Sequence, residues 1–312
     1  MTNNGTSLKM RRRQFLQAAA TASCGLSLPA FGQLIPPKVG TVRDKLWLFS
    51  NPTNADWGIL RKRSVMSPFE AAVYMGIPNI FMVQQYPGKD EENQYKPFEP
   101  PFEQYMVPLT MLKRVAWSLT GAGGATHDSE RKQVLSMVQK FPNMVGVYLD
   151  DFFRDKPGEE VGSLTVDQLR DVQRQLKGPK KKKDIYVTFY ASQLKLPIVE
   201  HLKQIDVITL WMWKPEELAN VDSYLNQLDK LVPGCRKIVG LYTTALNEGQ
   251  TPAWTGMPVP LMQKQCEGAL GWLRSGRIEG ICVYGGTTFD LGFEAVDWTR
   301  QWIRKIADTQ LT

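Results

Sequence analysis

The sequence of 312 residues predicts an α/β protein, a single (β/α)8 barrel preceded by an N-terminal export signal. Three observations carry that expectation. Eight short apolar runs rich in β-branched and aromatic residues recur along the chain, a helix or a loop and helix follows each, and together they span the length one such barrel needs. A doubly wound open sheet is the competing arrangement of the same alternating pattern.

The first strand is Lys45–Ser50 (KLWLFS), ended by the turn residues Asn51-Pro52-Thr53-Asn54. Ser67-Pro68-Phe69-Glu70 is a capping box with Pro at the first helical position, so a helix runs from there to about Gly76. Asn79–Val83 (NIFMV) is the second strand, and its exit opens a long polar and aromatic segment through Pro101. A helix around Phe102–Leu112 leads to the third strand, Arg114–Leu119, and to the turn Gly121-Ala122-Gly123-Gly124. Helix Asp128–Lys140 precedes the fourth strand, in the stretch Met144–Phe153 (MVGVYLDDFF), which ends in two adjacent carboxylates. Thr165-Val166-Asp167-Gln168 is a second capping box, and its helix stops at Gly178-Pro179. The fifth strand is Asp184–Tyr190, entered through the lysine run Lys180–Lys183. Helix Pro197–Ile205, the sixth strand Val207–Trp213 (VITLWMW) and a helix from Pro215 to about Leu231 follow. The seventh strand, Lys237–Tyr242, exits into a second long loop, Thr243–Pro260. Helix Leu261–Ser275, the eighth strand Gly280–Tyr284 and the amphipathic helix Phe293–Ala307 complete the count.

Residues 1–32 read as an address. Arg11, Arg12 and Arg13 precede Gln14-Phe15-Leu16 and an Ala-rich apolar run, and RRxFL resembles a twin-arginine export signal, implying a periplasmic or secreted protein. The apolar run is too short and too rich in Ala and Ser to span a membrane. Residues 33–44 form a Pro-containing linker, and 45–312 form the barrel domain. Removing residues 1–32 takes away Lys9 and the three Arg and no acid, so the net charge falls from +7 to +3. Basicity therefore belongs mostly to the address, and the four consecutive Lys read as a solvated turn and not as a nucleic-acid patch. Cys24 lies in the leader; Cys235, Cys266 and Cys282 lack metal-ligand spacing and read as buried thiols, with one disulfide possible.

In a barrel of this kind the active site is built at the C-terminal ends of the strands. Asp150 and Asp151 stand at the end of the fourth. Successive side chains on a strand alternate in direction, so at most one of the pair is expected to aim into the centre. Burial and mutual repulsion both tend to raise a carboxyl pKa toward the range useful for acid catalysis. The other strand ends offer Asn51, Asn54, Gln84, Tyr86, Tyr190, Trp211, Trp213, Tyr242, Glu248 and Tyr284. Amides and carboxylates bond hydroxyls in pairs while aromatic faces cover the apolar face of a sugar ring, so this set suits a carbohydrate. Trp211 and Trp213 are two apart, share a face of the sixth strand, and would form a platform if that face is the lumen.

Strand four ending in LDDFF, strand six ending in LWMWK, and the terminal pattern WLRSGRIEGICVYGGTTFDLGFEAVDWTRQWI resemble a group of exported bacterial proteins related to glycoside-hydrolase barrels. The resemblance covers most of residues 45–308. It implies a catalytic carboxylate at the end of strand four, at Asp150 or Asp151, with a second on another strand. Strands five and six end in Tyr190 and Trp213 instead of an acid, which leaves the adjacent Asp or a loop acid as partner, with Asp290, Glu248 and Asp56 as candidates in that order. Glycoside hydrolysis needs one carboxyl protonated and another ionised. The working assignment makes Asp151 the acid and Asp150 the base or nucleophile.

Two other readings compete with a carbohydrate-cleaving enzyme. A non-catalytic saccharide-binding or scaffold barrel is favoured by the missing second acid at a strand tip. A metal-dependent barrel of the sugar-isomerase kind would need several His, Asp and Glu at strand ends, and the chain has only His127 and His201. No metal and no cofactor is expected; Gly121-Ala122-Gly123-Gly124 lacks the third Gly of a dinucleotide fingerprint, since Thr126 stands there.

Overall fold

The computed structural model describes residues 40–53, 64–84, 100–155, 158–177, 183–247, 254–286 and 288–311. The expected address at 1–32 and the candidates Asn54, Asp56, Tyr86 and Glu248 lie outside them. Eight parallel strands close into a barrel: β1 (Leu46–Ser50), β2 (Asn79–Met82), β3 (Arg114–Thr120), β4 (Met144–Leu149), β5 (Asp184–Tyr190), β6 (Val207–Trp211), β7 (Arg236–Tyr242) and β10 (Gly280–Tyr284). Neighbours in the barrel follow chain order, and β10 closes it by pairing β1 on one side and β7 on the other. Strands buried on both faces explain why they read as continuous apolar runs.

The intervening helices are α1 (Pro68–Met75), α2 (Glu103–Leu109), α3 (Asp128–Lys140), α4 (Val166–Leu176), α5 (Val199–Leu202), α6 (Val221–Leu231), α7 (Val259–Arg274) and α8 (Glu294–Ile306). Both capping boxes form. The Ser67 hydroxyl accepts from the Glu70 amide at 3.2 Å while the Glu70 carboxylate accepts from the Ser67 amide at 2.8 Å, and Thr165 and Gln168 repeat the exchange.

Four elements differ from the expectation. The α2 helix ends one residue after Pro108, which has no N–H to extend the hydrogen-bond ladder. The segment from Pro215 splits into a 3-10 turn, Pro215–Ala219, and α6. The β6 strand stops at Trp211, so Trp213 is off the strand and the shared-face argument does not apply to it. The expected loop Thr243–Pro260 contains an antiparallel hairpin, β8 (Thr244–Leu246) with β9 (Trp254–Gly256).

Aromatic rings fill the lumen. Trp47 stacks on Phe81 at 4.4 Å, Phe81 meets Tyr148 at 4.4 Å, and Phe49 meets Trp211 edge-on at 5.6 Å. Small residues on neighbouring strands give these rings room. A Cβ on Gly240 of β7 would lie 2.0 Å from the Trp211 ring. At the N-terminal mouth the Arg114 guanidinium covers Trp47 at 4.7 Å and its Nε donates to Asn79 Oδ1 at 2.8 Å, closing the end away from the site.

Overpacking a filled lumen costs about 1–3 kcal/mol. Gly240→Ala is therefore expected to lower unfolding stability by about that much in denaturant titration. Gly271→Ala, on the exposed face of α7 where an added Cβ meets nothing within 4 Å, is expected to raise stability by about 1 kcal/mol through helix propensity.

Candidate active site at the C-terminal mouth

The hydrogen-bonded part of β4 ends at Leu149, and the two aspartates follow it immediately. Asp150 is fixed to β3 from both sides: its amide donates to the Thr120 carbonyl at 3.0 Å, and the Thr120 hydroxyl donates to its carbonyl at 2.9 Å. Its side chain is 4% exposed, and Oδ1 accepts from the Thr188 hydroxyl at 2.7 Å. That bond uses the only proton Thr188 has, so the 2.8 Å contact between Thr188 and Tyr148 is donated by the tyrosine. A chain of donors thus runs from Tyr148 through Thr188 to Asp150. Burial, and next the charge of Asp151, push the Asp150 carboxyl well above its ordinary 3.8, against the opposing pull of its hydrogen bonds. The group keeps its proton where an exposed aspartate would lose it.

Asp151 has φ 43°, in the left-handed region that Asp tolerates better than most residues. The turn overrides strand alternation. Both carboxyls line one cavity, where the sequence pattern allowed only one. Asp151 Oδ1 accepts from the Tyr190 hydroxyl at 2.6 Å, and Oδ2 accepts from the Gly123 amide at 2.8 Å. Burial raises the Tyr190 phenol well above its ordinary range, with Tyr242 and the two aspartates adding to it, so it stays a donor. Arg154 in turn donates to the carbonyls of Gly123 and Gly124 at 3.0 and 2.8 Å, holding the glycine turn against the carboxylate. Gly124 is needed there: its φ is +66°, and a Cβ would stand 2.5 Å from the Asp151 carbonyl.

The cavity over the pair has a volume of about 200 Å³. Of the residues expected from sequence it brings together Asp150, Asp151, Tyr190, Trp211, Trp213, Tyr242 and Tyr284. Trp213 meets Tyr190 edge-on at 5.1 Å and Trp254 at 5.7 Å, which makes an aromatic wall from the end of β5, the loop after β6 and the strand β9.

Three expected residues lie elsewhere. Asn51 is buried and its amide donates to the Val83 carbonyl at 3.2 Å, tying the end of β1 to that of β2. Gln84 is buried, its amide donating to the Ser118 hydroxyl at 2.9 Å and its carbonyl accepting from Ala122 at 2.9 Å. Asp290 is exposed and accepts from the amides of Val65 and Met66 at 2.8 and 3.3 Å, so it organises the approach to α1 and does not line the cavity.

Sequence reasoning passed over Phe49, Thr188, Thr244, Leu246 and Trp254. Thr188 was within reach, since it lies two residues before Tyr190 and so on the same face of β5. Trp254 and Leu246 depend on the hairpin, which the sequence did not announce. The three cysteines expected in the barrel are free, with Cys266 and Cys282 buried and Cys235 half-buried. Among the described residues no cluster of three or more His, Cys, Asp or Glu is placed to hold a metal, and no helix is long and apolar enough to cross a membrane.

No family model matches the chain, and no curated protein matches its sequence. Solved structures match at the level of fold. Active domain 2 of a thermostable chitinase from Pyrococcus furiosus, complexed as catalytic-site mutants with chito-oligosaccharides, is 13% identical over 78% of this chain and 84% of its own, with a TM-score of 0.51. A xylanase and α-amylase inhibitor protein is 10% identical over 85% of this chain and 98% of its own, at 0.50. An N-acetylglucosaminidase of glycoside hydrolase family 18 from Paenibacillus barengoltzii is 10% identical over 82% of this chain and 99% of its own, at 0.49. The barrel is thus of the kind that glycoside hydrolases use, and an inhibitor protein uses it too.

A carboxyl whose pKa is raised on folding contributes stability that is lost as pH climbs from 3.8 through the raised value. Asp150→Asn removes that loss, since the amide has no charge to bury. Its melting temperature relative to wild type is expected to rise steadily as pH increases above about 4, measured by thermal unfolding across pH. A constant difference at all pH values would mean that Asp150 titrates as an ordinary aspartate.

Proposed function

We propose that the protein is a carbohydrate-active enzyme of the glycoside-hydrolase kind, cleaving a glycosidic bond with the carboxyls at the end of β4. The observation that carries this reading is the unequal pair itself: Asp150 held protonated by burial beside Asp151, both on the wall of one aromatic cavity. Glycoside hydrolysis needs one proton donor for the leaving oxygen and one carboxylate for the charge that develops at the anomeric carbon. Their environments separate those roles. Asp150 is the acid, and Asp151, anchored by Tyr190 and Gly123, is the carboxylate that stabilises the developing positive charge or activates water. This reverses the working assignment of the sequence analysis, which made Asp151 the acid. The aromatic wall gives a sugar ring its apolar face, with the phenols of Tyr190, Tyr242 and Tyr284 as hydroxyl partners.

A non-catalytic saccharide-binding barrel is the second reading, favoured by the placement of Asp290 away from the pair. The fold alone does not choose between the two, since a chitinase and an inhibitor protein are both built on it. RRxFL at Arg12–Leu16 supports export through the twin-arginine route to the periplasm or beyond.

The deciding experiment uses aryl glycosides and oligosaccharides with wild type, Asp150→Asn and Asp151→Asn. Each substitution is expected to lower kcat by at least about 100-fold, the range that acid–base groups supply, while saccharide binding survives. Turnover in neither wild type nor variants, with equal saccharide binding by all three, would establish the binding barrel. For export, Arg12→Lys with Arg13→Lys is expected to leave the chain in the cytoplasm on cell fractionation; unchanged export would remove the twin-arginine reading.

A further inference from the structure

Two cavities adjoin above the aspartates and share part of their lining. The inner part is the 200 Å³ cavity, and the outer is a groove of about 740 Å³. Asp151, Tyr190, Trp211, Trp213 and Leu246 line both, so the two meet along these residues, whereas Asp150 lines the inner part alone.

The floor of the inner part is closed by four rings in a cycle of contacts. Phe49 meets Trp211 at 5.6 Å, Trp211 meets Tyr242 at 5.0 Å, Tyr242 meets Tyr284 at 4.8 Å, and Tyr284 meets Phe49 at 5.3 Å. All four rings are buried. A chain cannot continue downward through them. The inner volume is also below the range of about 300–1,000 Å³ found for drug-sized ligands, which fits one ring and not two.

The two parts differ in charge. Among the described residues, the inner lining carries no charged side chain apart from the aspartates, while the groove adds Arg154, Lys214 and Glu217. A ring bearing its own carboxylate would meet Asp151 with no cation beside it, and like charges at such a contact repel. An uncharged ring meets only aromatic faces, hydroxyls and the acid pair.

Resting on the glycoside-hydrolase reading, we infer that the inner part seats the uncharged terminal ring of a glycan and the groove holds the remainder, so that the bond broken is the terminal one. Where the two parts meet, the bond from the anomeric carbon to the leaving oxygen breaks and that oxygen takes the acid's proton. Water then supplies the new hydroxyl and returns a proton to the pair. One monosaccharide leaves per event.

The test uses cello-, laminari-, malto- and chito-oligosaccharides with free ends, the same chains with a bulky substituent on each terminal ring, and aryl glycosides of a neutral sugar and of its uronic acid. Expected are a monosaccharide as the first product, hydrolysis of blocked chains at least about tenfold slower, and a uronide poorer than its neutral counterpart. Products of mixed length from the earliest times, or equal rates on blocked chains, would overturn terminal seating while leaving the enzyme reading intact. If nothing is turned over, the enzyme reading fails and tryptophan fluorescence still decides the seating. Free-ended chains binding about tenfold tighter than blocked ones would support it, and equal binding would overturn it.

Discussion

Consecutive side chains leave an extended strand on opposite faces, and at the end of β4 the chain escapes that rule by turning Asp151 to φ 43°. Everything else at the mouth depends on that turn. It brings a second carboxyl to the cavity that Asp150 already faces, and it places the Asp151 oxygens where Tyr190 and the Gly123 amide can reach them. A left-handed conformation costs an ordinary residue about 1–2 kcal/mol. Two hydrogen bonds to a carboxylate offset it, and they form only in that geometry. The glycine turn and Arg154 are the scaffold for one of those donors, so four segments of chain converge on a single residue's conformation.

The floor of the cavity and the core of the barrel are the same residues. Phe49, Trp211, Tyr242 and Tyr284 pack one another, Phe49 meets Tyr148 as well, and the four also form the bottom of the cavity. Their burial removes water from around Asp150, which raises its proton affinity and strengthens each polar interaction nearby. Stability and acid strength are therefore coupled through one aromatic layer. Exposing the layer to water would return Asp150 toward ordinary behaviour even with every hydrogen bond retained.

The barrel itself was legible because its signals are local and repeated. Eight apolar runs, two capping boxes and the turn residues between them each act within a few positions, and the structure places strands at all eight. The acid pair was legible as chemistry and misread as geometry. Alternation holds inside a strand, and the pair sits just beyond its end, where backbone conformation is set by Gly123, Tyr190 and Arg154 from distant parts of the chain. Asn51 lies away from the cavity for a related reason: a polar residue at a strand end has as much use for joining neighbouring strands as for meeting a ligand. Asp290 is an acid in the last loop, yet the amides of Val65 and Met66 claim it. Trp254 was visible as an aromatic in a long loop, but its role follows from β8 and β9 pairing across seven intervening residues, a pairing without a turn signature strong enough to read.

That hairpin stands outside the barrel's hydrogen-bonded sheet, paired only with itself, and still supplies Leu246 and Trp254 to the cavity wall. With Thr244, the hairpin thus gives three of the twelve described residues around the cavity, and these close no barrel strand. Substitutions in the hairpin can reshape that wall without touching the aromatic floor or the acid pair, so the outline of the cavity and the environment of its carboxyls are separately adjustable.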